Sequence, residues 1–461
     1  MRYRPKPKKP TYVSAEARAY VEAAMSFSLQ RDMESALECI QSALEIVPDD
    51  AQLFYLSGSA KYMLGDDEGA IEDLDKAIEL DHKNVSAYTY RGMAKDALGM
   101  HWEGIKDFNT AIRLDPKNHL AHFHRGVAFQ FNKQGVSFGP GAEIGKAIAD
   151  FDWAIKLHPE NPEYWYYRGR AKANLGGFKP EIILSDYEKA IELNEKYARA
   201  YFGIGTYKAE QGEYAEAIEY LSKSIELDPE FPIAVSNRGM AKKLSGDFEG
   251  ALVDFDRAVE MEPENGQHWF NRGSLKGSME RFPFSEEVVD LNKALELSPD
   301  EPEVYFIRGI AKWKHRRYAS AIRDFEKELE YRQTNPRTFY YLANCKGEIA
   351  KYTIEERLRD YDRAAELECE IAECYIERGF LRLELKQYSG ALEDAHRFRK
   401  LRPMDLRGYE LAIRVDYNTG NPTFALKAIE KALAIDPNYE WGLKVKKLIL
   451  DERDRTNKTS R

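Results

Sequence analysis

Seven arginines in the sequence are each followed, a short distance along the chain, by an aspartate. A guanidinium and a carboxylate can form a planar, two-bonded ion pair, whereas an arginine without such a partner is available to bind an anion. We favour ion pairs, because a buried arginine without a carboxylate would be costly. The predicted structural pairs are Arg91 with Asp107, Arg125 with Asp150, Arg168 with Asp186, Arg238 with Asp254, Arg272 with Asp290, Arg308 with Asp324 and Arg378 with Asp394.

Other residues that could bind a metal or a phosphate group do not have the spacing of a known site. The histidines of NHLAHFH include no two that are four residues apart, and Cys369 and Cys374 lack CxxC spacing, so neither group has the spacing of a metal site. The stretch FNKQGVSFGPGAEIGK (131–146) ends in GK, but it lacks the first glycine and the following Ser or Thr of a phosphate-binding loop. We therefore expect no metal, no cofactor and no enzymatic activity.

The elements that position the arginines follow a repeating pattern. RGMAK occurs at 91–95 and again at 238–242. Along the chain a small residue, an aromatic or Leu, usually an Ala, and a Pro recur at fixed spacing. Examples are GALVDFDRAVEMEP (250–263) and EAIEYLSKSIELDP (216–229), in which Ser224 stands in place of the Ala. Twelve units fit a frame of about 34 residues, with extra residues in units four, five, eight and ten. They begin at Ala17, Ala51, Val85, His119, Pro162, Ala198, Pro232, Gly266, Pro302, Pro336, Ala372 and Leu406.

This pattern resembles the tetratricopeptide repeat, a helix–turn–helix unit. The resemblance implies an all-α fold, a right-handed superhelical solenoid in which each unit supplies a helix A and a helix B. Residues 17–439 would form the repeats, 440–453 a capping helix, 1–16 a basic, proline-rich arm and 454–461 a polar tail. Glycines at position 15 of a unit are expected to end helix A in a left-handed conformation: Gly65, Gly99, Gly176, Gly212, Gly246 and Gly420.

Composition restricts the class of protein. The chain has 461 residues, 43% hydrophobic and 32% charged, with a net charge of −10 and four cysteines. These values disfavour disorder and a disulfide framework. No apolar run is long enough to span a membrane, and the basic start lacks the apolar segment of a secretory signal. We expect an intracellular protein, most simply a cytoplasmic one, with nuclear or complex-associated placement as alternatives.

A second hypothesis for the charged residues is an anion-binding ladder. Cations at position 11 of the units share a helix face with the arginines at position 7, and together they could bind RNA or another polyanion. The aspartates neutralise most of the arginines, so we prefer structural pairs and do not expect a nucleic-acid partner. The position-11 cations are Lys61, Lys95, Lys172, Lys208, Lys242, Lys276, Lys312, Lys346 and Arg382.

The resemblance also implies a concave groove lined by the A helices, where another protein would bind. Large aromatic, Met and Arg side chains at positions 5 and 9 suit such a contact. An equally open alternative is that the rings pack between neighbouring A helices. The candidate partner-binding residues are Tyr55, Met93, Phe123, Tyr166, Arg170, Phe202, Met240, Phe270, Phe306, Tyr340 and Asn344.

Three functions remain open. The first is a scaffold or adaptor that holds a peptide or helical segment of another protein. The second is a stable structural subunit of a large multiprotein assembly, and the third, less favoured, is an anion- or RNA-binding solenoid. In the related chaperone-binding domains a lysine at position 5 helps to hold a carboxylate. No unit here has that lysine, so a chaperone-binding role of that type is not expected.

Overall fold

The computed structural model describes residues 15–30, 32–131, 142–279 and 281–459, and the side chains of 454 and 456–459 are left aside. The chain divides into two compact units, Met1–Ser245 and Gly246–Arg461. The described residues form 25 α-helices, most of them of 13 or 14 residues. The predicted all-α fold of tandem helix pairs is therefore confirmed. The handedness of the array stays a prediction.

The first unit contains thirteen helices. They are α1 (Ala15–Gln30), α2 (Met33–Ile46), α3 (Ala51–Leu64), α4 (Asp67–Leu80), α5 (Val85–Ala97), α6 (His101–Leu114), α7 (His119–Ala128), α8 (Ile144–Leu157), α9 (Pro162–Leu175), α10 (Pro180–Leu193), α11 (Ala198–Glu210), α12 (Tyr214–Leu227) and α13 (Pro232–Ser245). Odd-numbered helices correspond to helix A and even-numbered helices to helix B of the predicted repeats.

The second unit contains twelve helices. They are α14 (Phe248–Met261), α15 (Gly266–Lys276), α16 (Phe284–Leu297), α17 (Pro302–Lys314), α18 (Tyr318–Tyr331), α19 (Pro336–Gly347), α20 (Ile354–Glu366), α21 (Ala372–Glu384), α22 (Tyr388–Leu401), α23 (Arg407–Asn418), α24 (Pro422–Ile435) and α25 (Glu440–Thr459). The helix predicted over 440–453 thus continues to Thr459.

Local sequence determines where the A helices begin and end. Many begin after an Asp or Asn whose side chain accepts backbone N–H groups, as Asp50 does from Gln52 and Leu53, which satisfies donors that the first turn leaves free. Ten of the twelve predicted units start on the first residue of an A helix; α1 starts earlier and α23 one residue later. All six predicted position-15 glycines have positive φ, as predicted. Gly65 is left-handed helical, whereas Gly176 has ψ of 178° and a more extended conformation.

The core of each repeat depends on close approach between helix A and helix B. A Cβ on Gly92 would lie 2.6 Å from Cε1 of Phe108, so only glycine leaves room for that ring. Phe108 is fully buried, as are Phe151, Phe255, Phe325 and other rings and leucines of the B helices. Burial of one large side chain stabilises the fold by about 1.5–3 kcal/mol. Because each repeat adds such contacts with its neighbour, the total stabilisation increases with the number of stacked repeats.

Two predicted segments lie outside the described residues: most of the basic arm, residues 1–14, and most of the long turn within 131–146, residues 132–141. Where the structure describes the chain, no helix combines the length and the apolar character that a membrane span requires.

Candidate functional site

Within each unit, A helices contact one another as well as their B helices. In the first unit α3 contacts α5, α5 contacts α7, α9 contacts α11 and α11 contacts α13. In the second unit α17 contacts α19 and α21 contacts α23. The side chains of these helices that the B helices leave uncovered form a surface in each unit, which we call the A-helix face.

Eight of the eleven candidate partner-binding residues keep part of their side chain accessible. They lie at positions 5 and 9 of the A helices, and their partial burial fixes their orientation without hiding them. They are Tyr55, Met93, Arg170, Phe202, Met240, Phe270, Tyr340 and Asn344. Phe202, for example, lies 5.0 Å from the ring of Phe231 between centroids.

The other three candidates, Phe123, Tyr166 and Phe306, are 3–4% exposed. Phe123 is covered by Tyr164, whose ring centroid lies 4.7 Å away, and by rings of neighbouring helices. Comparable ring contacts cover Tyr166 and Phe306. The expectation that these three line an accessible surface is corrected: they pack inside the stack, because aromatic neighbours close over them.

Arg168 shows the geometry of the ion pairs. Its Nε and Nη2 donate to the two carboxylate oxygens of Asp186 at 3.0 and 2.5 Å. The Asp186 side chain is only 2% exposed, and Lys172 Nζ lies 2.7 Å from its Oδ2. A carboxylate held by two cations in this way links helix A rigidly to helix B of the same repeat.

The same two-bonded geometry holds for most of the predicted pairs. It is present between Arg91 and Asp107, Arg125 and Asp150, Arg272 and Asp290, Arg308 and Asp324, and Arg378 and Asp394. Arg238 and Asp254 belong to different units, and that pair stays a prediction.

The remaining donor of each arginine contacts the preceding repeat, and sequence analysis missed this bond. Nη1 of Arg168 donates to Asp152, 16 residues earlier, at 2.7 Å. The signal was present in the sequence, because every one of the seven arginines has an oxygen-bearing side chain 16 residues before it. These acceptors are Asp75, Asn109, Asp152, Ser222, Asp256, Asn292 and Asp362.

Most of the position-11 cations are engaged by carboxylates as well. Lys61 lies 2.7 Å from Asp73, and Lys346 lies 2.7 Å from Asp360. Lys95, Lys172, Lys276, Lys312 and Arg382 contact the aspartate that their own repeat's arginine binds. A ladder of cations neutralised in this way has little charge to offer a polyanion, which weighs against the anion-binding hypothesis.

The histidine cluster is a packing feature of the first unit. Nδ1 of His119 lies 2.6 Å from the hydroxyl of Tyr164, and Nδ1 of His122 lies 3.0 Å from Asp150. Burial, reinforced by His158, lowers the pKa of His119 to about 4. Among the residues that the structure describes, no three His, Cys, Asp or Glu side chains are grouped as metal ligands.

Helix pairs in a constant register, with one ion pair repeated from pair to pair, define an α-helical repeat protein. Residues 198–231 and 142–176 match family models described as tetratricopeptide repeat, and residues 58–99 match a model described as TPR repeat. These three segments of the chain are tetratricopeptide repeats, as the sequence predicted. Such repeats support a general role as a scaffold for protein–protein interaction, and proteins built from them are typically not enzymes.

Solved structures with similar folds have low sequence identity. A structure described as the APC/C hetero-tetramer Cut9–Hcn1 is 13% identical, with a TM-score of 0.47, covering 95% of this chain and 97% of that one. Yeast Tom70 is 16% identical, with a TM-score of 0.41, and the match covers 93% of this chain and 99% of Tom70. YrrB, described as a TPR protein with an unusual peptide-binding site, is 23% identical, with a TM-score of 0.31. The match covers 41% of this chain and 92% of YrrB. Similarity of this degree says nothing of what this chain binds. No curated protein matches the sequence.

Proposed function

We propose that this protein is a scaffold or adaptor that holds a segment of another protein along its A-helix face. The observation that carries the proposal is the presence of partly accessible aromatic and Met side chains on the A helices of each unit. In the first unit they are Tyr55, Met93, Phe202 and Met240, and in the second they are Phe270 and Tyr340. Aromatic and Met side chains provide large contact areas, and extended or helical segments use such surfaces as anchors.

The charged residues also support the proposal, because most of them are already paired within the repeats. Most of the repeat arginines are committed to buried aspartates, so their role is to fix helix A against helix B. The accessible candidates at positions 5 and 9 of the A helices are then mainly aromatic and apolar. Such a face suits a protein segment better than a nucleic-acid backbone, whose binding requires unpaired cations.

The test compares three forms of the protein as bait in a native extract. The wild type and a Trp153→Ala/Tyr331→Ala/Phe424→Ala control, which removes exposed rings from B helices, are expected to retain the same partner. Phe202→Ala/Phe270→Ala/Tyr340→Ala is expected to lose it, since a hot-spot ring contributes about 2 kcal/mol or more, roughly thirtyfold in affinity. All three must be equally helical by circular dichroism. Retention by the A-helix variant would overturn the proposal.

A second candidate is a structural subunit that docks through its B helices. Val253 on α14 and Val289 on α16 are 66% and 60% exposed. They occupy the same repeat position, where other repeats have a polar residue or Ala. Val253→Lys/Val289→Lys would release a stoichiometric partner if this surface is the interface, and the A-helix variant would then leave that partner bound.

A further inference from the structure

Two of the four cysteines lie side by side where the tenth predicted repeat joins the eleventh. Cys369 is in the turn after α20, and Cys374 is in the first turn of α21. They belong to the same core cluster, where the two residues are 1% and 0% exposed. Their side chains are hydrogen-bonded to each other, and both are free thiols in this structure. We call them the thiol pair.

The backbone of the turn between α20 and α21 holds the thiol pair in this arrangement. The N–H of Cys369 donates to the carbonyl of Ala364 at 3.1 Å, and the N–H of Cys374 donates to the carbonyl of Ile371 at 3.0 Å. Glu368, which precedes the first cysteine, has φ of 57°, so the turn uses a left-handed residue there. The proximity of the two thiols is therefore a property of the turn.

The surroundings make Cys369 the more acidic thiol of the pair. The hydrogen bond from Cys374 lowers the pKa of Cys369 more than burial raises it. The backbone N–H of Ile371 and the charge of Arg337 lower this pKa further, against the opposing charge of Glu370. A lowered pKa increases the fraction of thiolate, which is the nucleophilic form of cysteine. Cys369 is therefore the residue of the pair that is suited to attack an oxidant.

Cys374 keeps its proton for the same reason. Its hydrogen bond with Cys369 raises its pKa most, and burial and Asp394 reinforce that shift, whereas Arg378 opposes it. The carbonyl oxygen of Tyr361, 3.9 Å from Sγ of Cys374, is an alternative acceptor for the same proton. A protonated thiol beside a thiolate is the arrangement of a resolving cysteine beside a redox-sensitive one.

Cys369 lies close to the surface, although the residue itself is covered. Glu368 and Glu370, on either side of it, are exposed. Turns between helices open locally at a much smaller free-energy cost than the whole fold. We therefore expect hydrogen peroxide, which is hardly larger than water, to reach Cys369 after a local opening of the turn, while α20 and α21 stay packed.

We propose that Cys369 and Cys374 form a reversible disulfide when the protein meets a hydroperoxide. The Cys369 thiolate attacks one oxygen of hydrogen peroxide and becomes a sulfenic acid, while the O–O bond breaks and the other oxygen leaves as hydroxide, which a proton converts to water. The sulfur of Cys374 then attacks the sulfenic sulfur, and its S–H proton leaves with the sulfenic hydroxyl as a second water. The peroxide takes up two electrons from the two thiols, and a thiol reductant returns them.

The disulfide would close a ring with only four residues between the two cysteines. A short loop restricts the unfolded chain less than a long one, so the bond adds comparatively little stability. The thiol pair is therefore suited to respond to an oxidant rather than to strengthen the fold. This inference goes beyond the proposed function and does not depend on it.

The test treats the folded full chain with hydrogen peroxide and then blocks the remaining thiols with an alkylating reagent in urea. Both cysteines fall in one tryptic peptide, residues 364–378. A disulfide between them makes that peptide lighter by two hydrogen atoms and prevents its alkylation, which mass spectrometry detects. Cys369→Ser and Cys374→Ser are compared with the wild type. Cys345→Ser is the matched control, because Cys345 is buried in a different core cluster.

The wild type and the Cys345→Ser control are expected to gain the disulfide while folded and to lose it on treatment with dithiothreitol. Cys374→Ser should stop at a sulfenic acid on Cys369, which a dimedone probe labels. Cys369→Ser should leave Cys374 reduced. Peroxide should react with Cys369 in the first of these two variants at least about tenfold faster than with Cys374 in the second, since the thiolate is the reactive form.

The wild-type result stands whether or not the serine variants fold, and circular dichroism decides which variants are compared. Oxidation of the thiol pair only in urea would overturn the inference, and so would oxidation confined to Cys39 in the folded chain. Equal peroxide rates at Cys369 and Cys374 in folded variants would contradict the assigned roles of attacking and resolving thiol.

Discussion

Replacement of Asp186 by Asn tests how the repeated ion pairs act. The carboxylate is 2% exposed and accepts from Arg168 at 3.0 and 2.5 Å and from Lys172 at 2.7 Å. Asn has nearly the same shape, but its amide presents N–H groups to two cations whose side chains are only 15% and 11% exposed. Removal of one partner from a buried pair typically costs about 3–5 kcal/mol.

Asp152 provides the matched comparison, because it binds the same arginine from the preceding repeat. Its side chain is 55% exposed and accepts one bond at 2.7 Å. Asp152→Asn keeps an acceptor oxygen in place, and exposed pairs contribute about 0–1 kcal/mol. Both substitutions remove one negative charge next to Arg168. The difference between their free-energy costs therefore reports how much the burial of the carboxylate contributes.

The assay is urea denaturation followed by circular dichroism, with hydrogen exchange measured on peptides from α9 and α10. Local exchange is needed because long repeat arrays do not unfold in one step. We expect α9 and α10 to lose several kcal/mol of protection in Asp186→Asn and less than about 1 kcal/mol in Asp152→Asn. Equal losses in the two variants would refute the assignment of Arg168 and Asp186 as a buried structural pair.

Three further predictions concern backbone strain, pH and thiol reactivity. Lys386 has φ of 57° at a position where other repeats have glycine, so Lys386→Gly should stabilise the second unit by up to about 1 kcal/mol in urea denaturation, whereas the neighbouring Gln387→Gly should not. Burial lowers the pKa of His119 from 6.5 to about 4, so its contribution to stability is complete well above pH 6.5 and is lost as the pH falls toward 4. The wild type should lose about 1.5 kcal/mol more stability than His119→Gln between pH 6.5 and 5, and equal losses would exclude this cause. Cys39 is partly accessible, whereas Cys345 is buried, and burial raises the pKa of Cys345 to about 12. A thiol reagent at neutral pH should therefore modify Cys39 first and Cys345 only on unfolding. Mass spectrometry of the labelled protein shows which cysteine is modified.

Much of the fold could be predicted because the signals are local. Asp50 before α3 and Gly65 after it determine where one helix begins and ends, and the repeat period transfers that frame along the chain. The ion pairs within a repeat were also accessible, because they connect two positions of one frame. The bond from Arg168 to Asp152 was not predicted, since it depends on how one repeat stacks on the previous one.

The candidate surface could be predicted only in part, for the same reason. Phe123 and Phe202 occupy the same repeat position, but the next A helix covers Phe123 with Tyr164 and Tyr167. Phe202 instead lies beside Phe231 and remains partly accessible. Exposure at this position therefore depends on the size of side chains in the next repeat. The pattern of a single repeat carries no information about those neighbours.

The burial of Phe306 makes this residue unsuitable for a binding test. Removal of a buried ring to Ala costs about 3–5 kcal/mol, so a Phe306→Ala variant that failed to bind would not distinguish lost contacts from lost stability. Tyr340 is partly accessible and lies on the next A helix, α19. Tyr340 is therefore the residue of this region that is replaced in the variant that tests the A-helix face.

The most direct test of the central claim is site-specific photo-crosslinking, because it reports which face touches a partner without removing any contact. A photoreactive phenylalanine is placed at Phe202 or Tyr340 on the A-helix face, and at Lys223 or Lys327, which are 43% and 39% exposed on B helices. After irradiation in a native extract, the crosslinked peptides are identified by mass spectrometry. We predict that one segment of one partner crosslinks at Phe202 or Tyr340 and not at the lysine positions. Crosslinks confined to Lys223 and Lys327 would contradict the account and assign binding to the B helices.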